Sequence, residues 1–108
     1  MPRSQRRPKT RSVVPTATSK NLTRAINAAG ARGLFIGFTA LSCTYCTDSE
    51  SAWSTYFLSR SHSLPDIVRI DTDEGTSVID RYEATSLPSL VLAWRHRWTA
   101  YSLSLIHI

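Results

Sequence analysis

Apolar positions along this chain fall in short clusters divided by polar, glycine- or proline-containing stretches, and the spacing within the clusters changes along the chain. Leu22, Ala25, Ile26 and Ala29 recur at helical intervals, with Thr18-Ser19 ahead of them as an N-cap signal and Gly30 and Gly33 beyond them. This pattern predicts a helix over about Lys20–Ala29. Leu34–Thr39 is a continuous apolar and aromatic run of strand length, as expected for a strand covered on both faces. After Cys43 the helical spacing returns and extends to about Leu58, placing Ala52, Trp53, Tyr56 and Phe57 on one face. Ser61–Pro65 breaks that helix. Ile67–Ile70 reads as the next strand, ending in the polar cluster Asp71–Gly75. A short helix over about Thr76–Tyr82 would bury Val78, Ile79 and Tyr82. Pro88 opens a strand over Ser89–Trp94, and Arg95-His96-Arg97 turns it into a last strand, Trp98–Ser102. A short strand at Val13-Val14, ended by Pro15, precedes the first helix.

The predicted order is β-α-β-α-β-α-β-β, which calls for an α/β sheet whose last two strands pair antiparallel. At 108 residues the chain has room for one domain, which buries only about 60–68% of its unfolded surface. No internal repeat is present. No apolar run approaches the roughly 18 residues of a membrane span. The longest, Leu34–Leu41, is interrupted by Gly37 and Thr39. The basic start is not followed by the apolar stretch and cleavage site of a secretory signal.

Charge changes the picture at one end. The net charge is +5, yet all eight basic residues before Cys43 stand without a single acidic one, and the five after it face eight acids. Residues 1–11, with Arg3, Arg6, Arg7, Lys9 and Arg11 among prolines and hydroxyl residues, therefore read as a solvated, disordered tail. An organelle-targeting segment, or a contact with nucleic acid or membrane, is the sharper alternative. Nucleic acid is not the expected partner.

The two cysteines, Cys43 and Cys46, are separated by two residues, and four chemistries compete for them. A redox dithiol needs a thiolate at a helix N-terminus, which a strand-to-helix junction supplies. Zinc needs about four ligands, and His62, His96 and His107 show no ligand spacing. A purely structural disulfide in so tight a loop adds little stability. The pair could also be two inert buried thiols. The redox reading is favoured, with no metal and no cofactor expected.

Phe38-Thr39-Ala40-Leu41-Ser42-Cys43-Thr44-Tyr45-Cys46 resembles the active-site segment of thioredoxin-like domains, above all those of protein disulfide isomerases. Trp53 falls where those isomerase domains commonly carry a tryptophan. Val68-Arg69-Ile70-Asp71 resembles the family's third strand, and Arg81-Tyr82 followed by Ser86-Leu87-Pro88-Ser89-Leu90 resembles its stretch with a cis-proline facing the cysteines. The resemblance covers about residues 12–102. It implies a thioredoxin fold, a central mixed sheet flanked by helices, acting as a thiol–disulfide oxidoreductase on protein substrates bearing thiols or disulfides. By the same resemblance Cys43 is the exposed nucleophile and Cys46 the thiol that resolves the mixed disulfide. Pro88, if cis, shapes the substrate groove beside Tyr45, and the Leu87 backbone pairs with substrate peptide. The alternative reading of Pro88 is a trans proline that opens a strand. The isomerase likeness implies the lumen of the endoplasmic reticulum, whereas the missing signal, if genuine, implies the cytoplasm.

The chain departs from the family pattern at four places. Gly37 stands six residues before Cys43, where the family has a buried acid that accepts the proton of the deeper thiol. Restoring it as Gly37→Glu is expected to speed release of the mixed disulfide and to lower stability, because a buried carboxyl is costly. Ser42 replaces a tryptophan, and Thr44-Tyr45 replaces Gly-His or Gly-Pro, which implies a pair less oxidising than a typical isomerase. The turn Arg95-His96-Arg97 lacks the usual glycine. Gly37 and Ser42 favour a second reading, a client-binding module with slow chemistry; the intact cysteine pair opposes it. The family continues into a terminal helix that is expected to be missing here. Residues 103–108, Leu103-Ser104-Leu105-Ile106-His107-Ile108, instead read as a tail. That tail resembles the translation of a transposase adapter, with a short apolar extension of the edge strand as the alternative.

Overall fold

The computed structural model describes residues 13–40, 43, 46–72, 77–82 and 87–101. Five strands form one sheet: β1 (Thr16–Ala17), β2 (Leu34–Thr39), β3 (Asp66–Asp71), β4 (Ser89–Trp94) and β5 (Arg97–Tyr101). Three helices accompany them: α1 (Leu22–Ala29), extended by a 3-10 turn over Gly30–Arg32, α2 (Cys46–Ser59) and α3 (Ser77–Tyr82). The strand order is β1-β3-β2-β4-β5. β1, β3 and β2 run parallel, while β4 is antiparallel to β2 and β5 to β4. This is the mixed sheet with flanking helices that the sequence implies. Among the described residues no helix follows β5; residues 1–12 and 102–108, and with them both expected tails, lie outside the description.

β2 is central and every one of its six residues is buried. Its side chains alternate between two apolar layers, as the period of a strand requires. Leu34, Ile36 and Phe38 join Leu22, Ile26 and Ala29 of α1, Tyr82 of α3, and Val91 and Ala93 of β4. Phe35 joins Trp53 of α2, Ile67 of β3, Leu90 of β4 and Val14, with Tyr56 and Phe57 packed against them. Helices α1 and α3 thus cover one face of the sheet, and α2 covers the other.

Three local expectations need correction. The first strand is Thr16–Ala17 and not Val13-Val14. Proline has no N–H to donate, so Pro15 stands at the head of the edge strand and accepts from the Arg69 N–H through its carbonyl (2.9 Å). Val14 is buried all the same. The first helix begins at Leu22, because Thr18 and Asn21 bond reciprocally in the turn before it: Thr18 N–H to Asn21 Oδ1 (2.9 Å) and Asn21 N–H to Thr18 Oγ1 (3.4 Å). The final hairpin turns on two residues, Arg95 and His96, since Arg97 already pairs with Trp94. Gly33, at φ 88°, lets the chain leave α1 tightly; a Cβ there would lie 2.9 Å from Trp94 Nε1. That indole N–H donates to Ala31 O (3.1 Å), which ties the exit of α1 to β4.

Candidate active site

β2 delivers the chain to Thr39, and α2 begins at Cys46. Between them the Cys43 N–H donates to Ala40 O (3.1 Å) and the Cys46 N–H to Cys43 O (3.4 Å), which turns the chain sharply into the helix. Cys43 and Cys46 are joined as a disulfide, with Cα atoms 5.4 Å apart. The two cysteines differ in access: Cys46 is 2% exposed, while Cys43 is only half-buried. In the reduced pair a thiolate on Cys43 would lie at the N-terminus of α2, where unpaired N–H groups and the helix dipole stabilise negative charge.

Leu87 and Pro88 are half-buried and directly precede β4. Ser89, the next residue, pairs with Phe38 near the end of β2, so this segment lies at the same end of the sheet as Cys43. The Leu87–Pro88 peptide bond is cis. Tyr45 lies outside the described residues, as do Ser42, Thr44 and His107. The other two histidines are away from the disulfide. His62 follows α2, its carbonyl accepting from Arg32 Nη1 (3.0 Å), and His96 is exposed in the final turn. Among the described residues no group of three or more His, Cys, Asp or Glu side chains is placed to hold a metal ion. None of the described helices is long and apolar enough to cross a membrane.

Gly37 lies under α2, and the Trp53 indole fills the space above it. A Cβ on Gly37 would come within 2.5–2.7 Å of three Trp53 ring carbons. Trp53 itself is fully buried, and its Nε1–H has no hydrogen-bond partner. A glutamate at position 37 would have to displace the Trp53 ring, which adds a steric cause to the loss of stability expected of Gly37→Glu.

Two residues of this region carry charge and escaped the sequence reading. Arg69 of β3 pairs in register with Gly37, and its Nε–H is buried without a hydrogen-bond partner. Glu50 of α2 is half-buried, and burial pushes its carboxyl above the usual carboxylate range, against the pull of the Arg69 cation and with the push of Asp71. The signal that could have found Glu50 is its spacing, four residues after Cys46 and hence on the same side of the helix.

No protein-family model matches this sequence, and no curated protein sequence matches it. Solved structures do. The germline-specific thioredoxin Deadhead of Drosophila melanogaster superposes with a TM-score of 0.72 at 23% identity, over 88% of this chain and 90% of that one. Human ERp44 gives 0.70 at 16% identity, over 89% of this chain and 28% of that one. The J-Trx1 fragment of ERdj5 gives 0.69 at 19% identity, over 82% of this chain and 42% of that one. This chain therefore spans nearly the whole of Deadhead but under a third of ERp44. With the sheet order, the helices on both faces and the Cys43–Cys46 pair opening α2, these likenesses identify the chain as a thioredoxin-fold domain.

Proposed function

We propose that this domain is a thiol–disulfide oxidoreductase of the protein disulfide isomerase kind, exchanging disulfides with protein substrates through Cys43 and Cys46. The observation that carries this reading is the asymmetry of the pair: one cysteine half-buried just ahead of a helix N-terminus, the other buried at its first residue. An accessible thiolate attacks, and a sheltered neighbour resolves. In the reducing direction the Cys43 thiolate attacks one sulfur of a client disulfide, forming the mixed disulfide and expelling the other client sulfur as a thiolate. Cys46 then attacks Cys43, restoring the Cys43–Cys46 bond and freeing the second client thiolate. The oxidising direction is the reverse. Leu87 and Pro88, at the same end of the sheet, are the backbone against which an extended client segment would lie.

Cys43→Ser is expected to abolish reduction of insulin disulfides, and Cys46→Ser to trap mixed disulfides with clients. Faster alkylation of Cys46 than of Cys43 in the reduced protein would reverse the assigned roles. The second reading, a client-binding module with slow chemistry, is favoured by Trp53 occupying the place of a sheet-borne acid. It predicts client binding with insulin reduction barely above background.

A further inference from the structure

The exchange reaction requires Cys46 to give up a proton. A thiol 2% exposed resists this, since burial disfavours the thiolate. The strand beneath it offers no base: β2 carries no ionisable side chain, and Trp53 occupies the space over Gly37. The helix does offer one. Glu50 lies one turn beyond Cys46, at a spacing that puts Cβ atoms about 5–6 Å apart. Trp53, a further turn along and fully buried against Gly37, anchors this side of α2 to the sheet. From β3, Arg69 and Asp71 are the charged groups that act on Glu50. Asp48, the acid in the first turn of α2, is exposed.

The geometry points to Glu50 as the proton acceptor for Cys46 in the resolving step, an assignment that rests on the oxidoreductase reading. The Cys46 S–H proton passes to the Glu50 carboxylate, directly or through one water. The Cys46 sulfur bonds to Cys43, the bond from Cys43 to the client breaks, and the electron pair leaves on the client sulfur. Glu50 then returns the proton to solvent through its exposed side. Arg69 favours the ionised carboxylate, while burial and Asp71 raise its proton affinity. A base of raised affinity is better matched to a thiol than an ordinary surface carboxylate.

Stopped-flow reaction of the reduced full chain with stoichiometric 5,5′-dithiobis(2-nitrobenzoate) separates the two steps. The first equivalent of thionitrobenzoate reports attack by Cys43, and the second reports resolution by Cys46. Glu50→Gln should leave the first phase unchanged and slow the second about a hundredfold at pH 6–7, the lower end of what a positioned base supplies. The two proteins should converge at high pH, where hydroxide takes the place of the base, and Glu50→Asp should lie between them at neutral pH. Equal second phases at pH 7 would overturn the assignment while leaving the oxidoreductase reading standing. Absence of a second equivalent from the native chain at any pH would remove both. Should Glu50→Gln fail to fold by circular dichroism, the native pH profile decides. An inflection below pH 7 in addition to that of the thiol supports Glu50, and a single thiol ionisation overturns it.

Discussion

Gly37 and Trp53 form a matched pair in which the glycine has no side chain because the indole needs the room. The indole is fully buried, so adding even a methyl group must displace it. Gly37→Ala is expected to cost about 1–3 kcal/mol, the usual penalty for overpacking a tight core. Trp53→Ala should cost about 3–5 kcal/mol through the cavity it leaves. The double change should be markedly less destabilising than the sum, because each substitution relieves the defect of the other. Urea denaturation of the four proteins at one pH measures this coupling. Additive losses would mean that the ring is held chiefly by Phe35, Ile67 and Leu90, its other neighbours in the buried layer.

Helix α2 is secured at its C-terminal end by side-chain contacts. There Arg60 binds the Asp66 carboxylate through Nε and Nη2, donates from Nη1 to Phe57 O (2.8 Å), and rests 4.9 Å from the centre of the Phe57 ring. Tyr56 Oη donates to Pro65 O (2.7 Å), so the break after the helix is fastened to its last turns. Since the Arg60–Asp66 pair is only partly buried, Asp66→Asn should cost no more than about 1 kcal/mol, read as a small shift of the denaturation midpoint. Nearer the N-terminus, the raised proton affinity of Glu50 has a defined consequence for stability. The folded state holds this proton more tightly than the unfolded chain, so its contribution is fully present below the ordinary carboxylate value of 4.5. It is lost as the pH rises through the raised folded value. Glu50→Gln should therefore be more stable than the native chain at pH 7, with the advantage shrinking towards pH 4. Melting temperatures of the two proteins across that range test the sign.

For the molecule as a whole, the redox potential is the property that the fold and the cysteine pair set together. Thioredoxin stands near about −270 mV and disulfide isomerase near about −180 mV, and this domain is expected between them. Titration of the Cys43–Cys46 pair against glutathione measures the value. A potential above the isomerase value would reveal strong thiolate stabilisation and a role as an oxidant. Every described residue of the two buried apolar layers lies between Val14 and Trp98. Deletion of residues 1–11 should accordingly leave both this potential and the melting temperature unchanged, and a fall of several degrees would show that the basic segment packs on the domain.

Much of this architecture was legible in the order of residues because its signals are local. The helical recurrence of Leu22, Ile26 and Ala29, the unbroken apolar run of β2 and the two-residue spacing of the cysteines each depend only on near neighbours. They led to the helices, the central strand and the strand-to-helix junction without knowledge of what packs against what. Where the reading went astray, contacts between distant segments were responsible. Thr16–Ala17 became the edge strand because its backbone meets Arg69 and Ile70 of β3, a pairing across more than fifty residues that no local pattern shows. Gly37 looked like a missing acid until the structure placed the indole of Trp53, sixteen residues later, against it. Glu50 was one of two acids on a helix until folding brought it to the charges of β3 and withdrew it partly from water. Period and spacing are properties of the chain, whereas desolvation and close approach exist only once segments far apart in sequence share one space.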